Sequence, residues 1–204
     1  MNVAIIDYGV GNLFSLRSSL SYLGIDNVLS NDAAEIRRAN RLILPGVGAF
    51  GDAVAKLRES GLFDEVKRHA AAGKPLLGIC LGMQLLFDKS YEFGEHQGLS
   101  LIPGTVEPLA PDLPAGGLKV PHIGWNSLNI VKEDPLFKYF PPGAHVYYVH
   151  SFYAKNCRES TLATSEYGIP VTGAVRRGSV WATQFHPEKS GTAGLALLKA
   201  FAEL

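Results

Sequence analysis

The pentapeptide Gly78-Ile79-Cys80-Leu81-Gly82 constrains the fold more than any other segment of this chain. It follows the apolar run Pro75-Leu76-Leu77 and opens a helical stretch, Met83-Gln84-Leu85-Leu86-Phe87. A strand that turns sharply into a helix, with a nucleophile at the turn and a glycine two residues to either side, is a nucleophile elbow. The glycines lack Cβ atoms, so strand and helix approach closely and the nucleophile takes a strained backbone conformation. The helix N-terminus beside Cys80 favours the thiolate, the reactive form. A cysteine simply buried between a strand and a helix would read the same way. The rest of the chain has to decide between the two.

The first half alternates strands and helices. Asn2 to Ile6 is a short apolar run, as in a strand buried on both faces. Leu13, Leu16, Leu20 and Leu23 recur at helical spacing, and Gly24 stops that helix. Val28-Leu29 and Arg41 to Leu44 read as strands. One helix covers about Gly51 to Arg58, and another runs to Ala72 before Gly73. This βαβα order implies a parallel sheet with right-handed crossovers. From about Gly104 the character changes to short β-rich runs between Gly/Pro turns: Ile123 to Val131, His145 to Ala154, and Val171 to Phe185 with a hairpin at Arg177-Gly178. A helix of about Gly194 to Glu203 closes the chain. The expected fold is α/β: a central, mostly parallel sheet flanked by helices, with an additional antiparallel β-rich portion in the second half. Open parallel sheets place ligands at the carboxyl ends of their strands. The loops after Ile6, Leu44 and Ile79 should therefore converge on one cleft.

At 204 residues the chain fits one domain spanning 1–204, with a core that needs no staples. Nineteen basic and nineteen acidic residues cancel. That balance argues against a nucleic-acid footprint or a polybasic membrane patch. No apolar stretch approaches a membrane span. Met1 to Asp7 lacks a basic leader and reads as a core strand, so no signal peptide is expected. Two cysteines, Cys80 and Cys157, are too few for a disulfide framework, and no Cys/His spacing suggests a metal. A reducing, cytoplasmic setting is expected, without cofactor or metal.

Thiol catalysis needs a base, an orienter for that base, and an oxyanion hole. Gln184-Phe185-His186-Pro187-Glu188 offers the first two at the end of the last strand. His186 can take the thiol proton, Glu188 can hold the imidazole, and Pro187 limits the motion between them. Alone, the segment would read as a surface turn. Pro45-Gly46-Val47-Gly48 is a glycine-rich strand-to-helix turn whose N–H groups can face an anion. An oxyanion hole can combine Val47 or Gly48 with Leu81, the residue after the nucleophile. Tyr8-Gly9-Val10-Gly11-Asn12 lacks the spacing of a dinucleotide fingerprint, so NAD binding is rejected.

With Cys80, His186 and Glu188 in this order, the sequence resembles the class I (triad) glutamine amidotransferases over nearly its whole length. Their fold is the flavodoxin-like class I amidotransferase fold. Asp7 to Leu13, Pro45 to Phe50, His122 to Asn126, Tyr147 to Tyr153 and Gln184 to Ser190 are similar to one branch, the glutaminase subunits of imidazole glycerol phosphate synthase. The resemblance implies hydrolysis of glutamine to glutamate and ammonia through a Cys80 thioester. It implies a heterodimer with a (β/α)₈-barrel cyclase subunit, which receives the ammonia and forms imidazole glycerol phosphate and AICAR in histidine biosynthesis. It places Gly48, Gln84, Glu92 and Ser151 around the substrate, and Asn12, Trp125, Tyr147 and Lys189 toward the cyclase. Gln84 lies one helical turn after Cys80, so it can face the same cleft. Read without the resemblance, Asn12 caps a helix, Trp125 and Tyr147 are core aromatics, and Lys189 is a solvated charge. His150 reads as a satisfied structural histidine, Cys157 as a spectator, and His122 stays unassigned. Two alternatives remain open: a glutaminase serving another acceptor, in pyridoxal phosphate synthesis or nucleotide amination, and an inactive scaffold.

Overall fold

The computed structural model describes residues 3–204, so Met1 and Asn2, the residue expected to begin the first strand, lie outside the described residues. The first half runs β1 (Val3–Ile6), α1 (Leu13–Tyr22), β2 (Asn27–Ser30), α2 (Ala33–Arg38), β3 (Arg41–Leu44), α3 (Phe50–Glu59), α4 (Leu62–Ala71), β4 (Leu76–Ile79) and α5 (Leu81–Leu85). Helix α2 has no counterpart among the expected elements. Its single turn and a half is too short for periodicity to show. Its signal is the cap, Asp32, which accepts from the Ala34 N–H at 2.6 Å. Helix α5 starts two residues earlier and ends two residues sooner than the apolar pattern suggests. The carbonyls of Leu85, Leu86 and Phe87 accept from N–H groups of the segment Leu99–Ile102 instead of continuing the helix.

The second half contains β5 (Lys89–Ser90), β6 (His96–Gln97), β7 (Thr105–Pro108), β8 (His122–Ser127), β9 (Asn129–Ile130), β10 (His145–His150), β11 (Phe152–Lys155), β12 (Thr161–Glu166), β13 (Pro170–Arg177) and β14 (Val180–Thr183). Helix α6 (Gly191–Glu203) begins three residues before its expected start. The hairpin at Arg177-Gly178 joins β13 to β14, with Gly178 at φ 58°.

The eight-stranded sheet has the order β2-β1-β3-β4-β14-β13-β12-β9. Its first five strands are parallel, in the doubly wound order 2-1-3-4-5 with β14 in fifth place. The β-rich half is therefore not wholly separate. Strand β14 docks on β4 and carries β13, β12 and β9 onto the sheet as antiparallel strands. Among the described residues, the sheet β11-β7-β5-β6 and the pair β10-β8 stand apart.

Alternation along the buried strands sorts their side chains into two cores. Ala4, Ile6, Leu42, Leu44, Leu76 and Val180 pack with α3, α4 and α5. Val3, Ile5, Ile43, Leu77, Ile79 and Trp181 pack with α1 and α6. The loops after β1 and β3 do converge at the carboxyl ends. The Tyr8 hydroxyl donates to the Pro45 carbonyl at 2.8 Å. No described helix is long and apolar enough to cross a membrane.

Candidate active site

Cys80 sits where β4 becomes α5, at φ 55° and ψ −109°. A non-glycine residue in that region costs about 1–3 kcal/mol and persists only when its surroundings impose it. Here the Cys80 N–H donates to the Thr183 carbonyl of β14 at 2.8 Å, and its carbonyl accepts from the Gln84 N–H at 3.2 Å. The flanking glycines are required sterically. A Cβ on Gly82 would lie 1.8 Å from the Leu44 carbonyl oxygen, and one on Gly78 would lie 2.8 Å from the Gly82 oxygen. The elbow is thus wedged against the end of β3.

His186 follows β14, and the 3-10 turn Pro187–Lys189 brings Glu188 back to it. His186 Nδ1 lies 2.8 Å from Glu188 Oε1, with both side chains 2% exposed. Ser190 holds this turn to β10: its hydroxyl donates to the His186 carbonyl at 2.6 Å and accepts from the Tyr147 N–H at 3.0 Å. The His186 N–H donates in turn to the Tyr147 carbonyl at 2.9 Å. Burial alone would depress the imidazole pKa. The Cys80 sulfur and Glu188 outweigh it and raise it to about 10. Yet Nε2 is buried with no aligned hydrogen-bond partner. The thiol is near enough to act electrostatically but is not aligned, and catalytic hydrogen bonds of this kind commonly tighten only around the substrate.

A cavity of about 370 Å³ opens over the sulfur, within the range of small-molecule sites. Val47, Gly48, Cys80, Leu81, Gln84, Glu92, Ser151 and His186 all line it. The residues expected around the substrate and the oxyanion therefore gather with Cys80 and His186 in one place, while Glu188 bonds His186 without lining the cavity. Glu92 does a second task there, accepting from the Phe50 N–H at the start of α3 at 2.5 Å. One expected feature is not assembled. The Leu81 N–H donates to the Gly46 carbonyl at 3.3 Å, so that oxygen occupies the direction an oxyanion would take. Gly46 O and Val47 N–H belong to one peptide unit. A single rotation of it would free Leu81 and swing the Val47 N–H inward. Gln184, fully buried, links Cys80 to the cavity wall: its Nε2 donates to Cys80 Sγ at 3.8 Å, and its Oε1 accepts from Gln84 at 3.1 Å. Its position two residues before His186 was the only sequence signal for it.

Asn12 makes no side-chain cap on α1; its Nδ2 lies 3.5 Å from Glu188 Oε1. Its backbone, at φ −87° and ψ 63°, is not the extended geometry that aims a cap oxygen at the first N–H groups of the helix, and its amide nitrogen is turned to Glu188 instead. Trp125 is exposed, not core, and meets the Tyr147 ring edge-to-face at 6.1 Å. The pair β8-β10 stands off the main sheet, so one of its faces has no covering layer. Lys189 is exposed but not isolated, with Nζ 5.7 Å from the Tyr147 ring centre. His150 and His122 are both buried and hydrogen-bonded to each other at 3.0 Å. Cys157 is buried beside Thr161 and Thr172, and burial pushes its thiol pKa up.

The profile of the family described as glutamine amidotransferase class-I matches residues 4–203. The imidazole glycerol phosphate synthase subunit HisH of Lacticaseibacillus casei is 52% identical over 202 residues, covering 99% of this chain and 95% of the relative. That of Caldanaerobacter subterraneus subsp. tengcongensis is 48% identical over 203 residues, covering 99% and 98%. Among solved structures, a glutamine amidotransferase aligns with a TM-score of 0.76 at 24% identity, over 98% of this chain and 97% of that one. PurLQS from Thermotoga maritima aligns with a TM-score of 0.73 at 18% identity, over 99% and 97%. At those identities the two structures speak for the fold alone.

Proposed function

Because this chain belongs to the class-I glutamine amidotransferase family, we propose that it is the glutaminase subunit of an imidazole glycerol phosphate synthase, working in histidine biosynthesis. The observation that carries the chemistry is the buried His186–Glu188 pair together with a cysteine on a strained elbow, with Cys80 and His186 lining one cavity. The full-length similarity to HisH subunits selects the acceptor pathway over pyridoxal phosphate synthesis or nucleotide amination.

Glutamine enters the cavity with its side-chain amide over Cys80. Glu92, Gln84, Gly48 and Ser151 hold the amino-acid end. The sulfur attacks the amide carbon, and the carbonyl oxygen becomes an oxyanion. The Leu81 N–H and an N–H of Val47 or Gly48 receive it once the Gly46–Val47 peptide has turned. His186 carries the proton taken from the thiol and delivers it to the departing nitrogen, which leaves as ammonia. The product on the enzyme is a γ-glutamyl thioester. His186 then accepts a proton from water, the hydroxide attacks the thioester carbon, and glutamate leaves as the sulfur recovers. Glu188 keeps the imidazole oriented throughout.

The partner is a (β/α)₈-barrel cyclase that meets the face carrying Asn12, Trp125, Tyr147 and Lys189 and consumes the ammonia. The pair works in the cytoplasm. The closed direction of the Leu81 N–H supports a glutaminase that is weak alone and activated on assembly. The test is glutamate release from glutamine with the cyclase and its nucleotide ligand present. Wild type should release glutamate and Cys80→Ala should not. Equal release by both would refute the mechanism.

A further inference from the structure

Three buried histidines lie outside the triad: His69 on α4, and His122 and His150, which face each other. Strands β8 and β10 place His122 and His150 directly opposite each other on one face of the pair. His122 is also stacked between Tyr148 and Tyr167, with ring centres at 4.7 and 3.9 Å. Their ring nitrogens are all engaged. His150 Nδ1 lies 2.9 Å from the Phe152 carbonyl, so it must be the donor there. His150 Nε2 is then an acceptor, and receives the Nδ1–H of His122 at 3.0 Å. His122 Nε2 is left as an acceptor facing the Asn126 amide at 3.5 Å. Asn126 is fixed in turn by donating to the Glu166 carbonyl at 2.8 Å. One set of tautomers satisfies the whole row, and only with both rings neutral. Burial lowers the pKa of both rings to about 4; for His150 the Phe152 hydrogen bond opposes burial and the positive charge of His186 adds to it.

The row ends in the cavity. Phe152 follows Ser151, and both line it together with His150. The Phe152 carbonyl accepts a second hydrogen bond, from Gln84 Nε2 at 3.0 Å. Gln84 also donates to Gln184, which contacts the Cys80 sulfur. A single carbonyl thus ties the substrate-facing wall, the residue one turn beyond the nucleophile, and the histidine pair.

We propose that His150, oriented by His122, is a positioning residue for the glutamine pocket: it fixes the Ser151–Phe152 wall and Gln84 through the Phe152 carbonyl. The inference rests on the glutaminase reading. The row also runs from the cavity back into β8, the strand that exposes Ile123 and Trp125. His150 touches neither the sulfur nor the amide carbon, so its loss should weaken capture of the substrate more than the chemistry.

The test uses the complex of this chain with its cyclase and a glutamine-analogue electrophile that alkylates Cys80. The rate is measured against reagent concentration. His150→Phe should raise the half-saturating concentration about tenfold, the effect of one lost hydrogen bond, with the maximal rate changed less than about threefold. His150→Asn keeps an N–H near the position of Nδ1 and should recover most of the loss. A wild-type half-saturation in His150→Phe would overturn the proposal, as would an Asn variant no better than Phe. If His150→Phe does not fold, His122→Phe replaces it, because a phenyl ring keeps the stack between Tyr148 and Tyr167. It should raise half-saturation too, and an unchanged value would overturn the proposal. Absence of any wild-type adduct on Cys80 would instead sink the glutaminase reading, and this inference with it.

Discussion

Gly82 shows how a single hydrogen atom in place of a methyl group holds the site together. Its missing Cβ is what lets α5 rest on the Leu44 carbonyl. Gly82→Ala should lower unfolding free energy by at least about 3 kcal/mol, read from urea midpoints, because the clash is with backbone. His186 gives a second prediction at this scale. Its pKa is raised from 6.5 to about 10 in the folded chain. The charged ring therefore stabilises the fold fully below pH 6.5, and that stability is lost as pH rises through about 10. The urea-midpoint gap between wild type and His186→Asn should shrink across that window. Glu188 contributes to the raised value, so Glu188→Gln should move the alkaline limb of kcat/KM to lower pH. An unmoved limb would contradict the assigned role. At this scale the sequence was informative for where Cys80, His186 and Glu188 lie, since spacing alone puts glycines beside Cys80 and Glu188 beside His186. It marked the position of Gln184 but not its links to Cys80 and Gln84, and it was silent on the Leu81–Gly46 contact. Those depend on how peptides 35 or more residues apart meet, which no local pattern encodes.

The turn after β14 is the element on which the proposed mechanism rests most, because it carries His186 and Glu188. It is short, and the Ser190 hydroxyl ties it down with two hydrogen bonds, one to the His186 carbonyl within the turn and one from the Tyr147 N–H of β10. Ser190→Ala removes both and strands the Tyr147 N–H. The maximal glutaminase rate of the complex should fall about tenfold or more, with the electrophile still reaching Cys80. Strands β1, β3 and β4 were legible because each is apolar on both faces, which only a doubly covered sheet explains. Helix α2 was not, for it offers a single capping aspartate and no period. The place of β14 was also hidden. Its run reads as one arm of a hairpin, and nothing local says that its other edge meets β4.

On the scale of the whole molecule, the chain spends its first half on a parallel scaffold and its second on completing a site at one end of it. The β8-β10 pair presents Ile123 and Trp125 to solvent, a costly exposure in a finished surface. Trp125→Ala should weaken binding to the cyclase about 30-fold, as loss of an aromatic anchor does, while its Tm stays close to wild type. Charge balance and composition argued against a nucleic-acid footprint but carried no hint of a protein partner. That came from the resemblance of whole segments. The covalent step is tested most directly by rapid-quench mass spectrometry of the complex turning over glutamine. The expected result is a γ-glutamyl adduct on the Cys80 peptide, absent in Cys80→Ala. Glutamate release without that adduct would contradict the thioester mechanism.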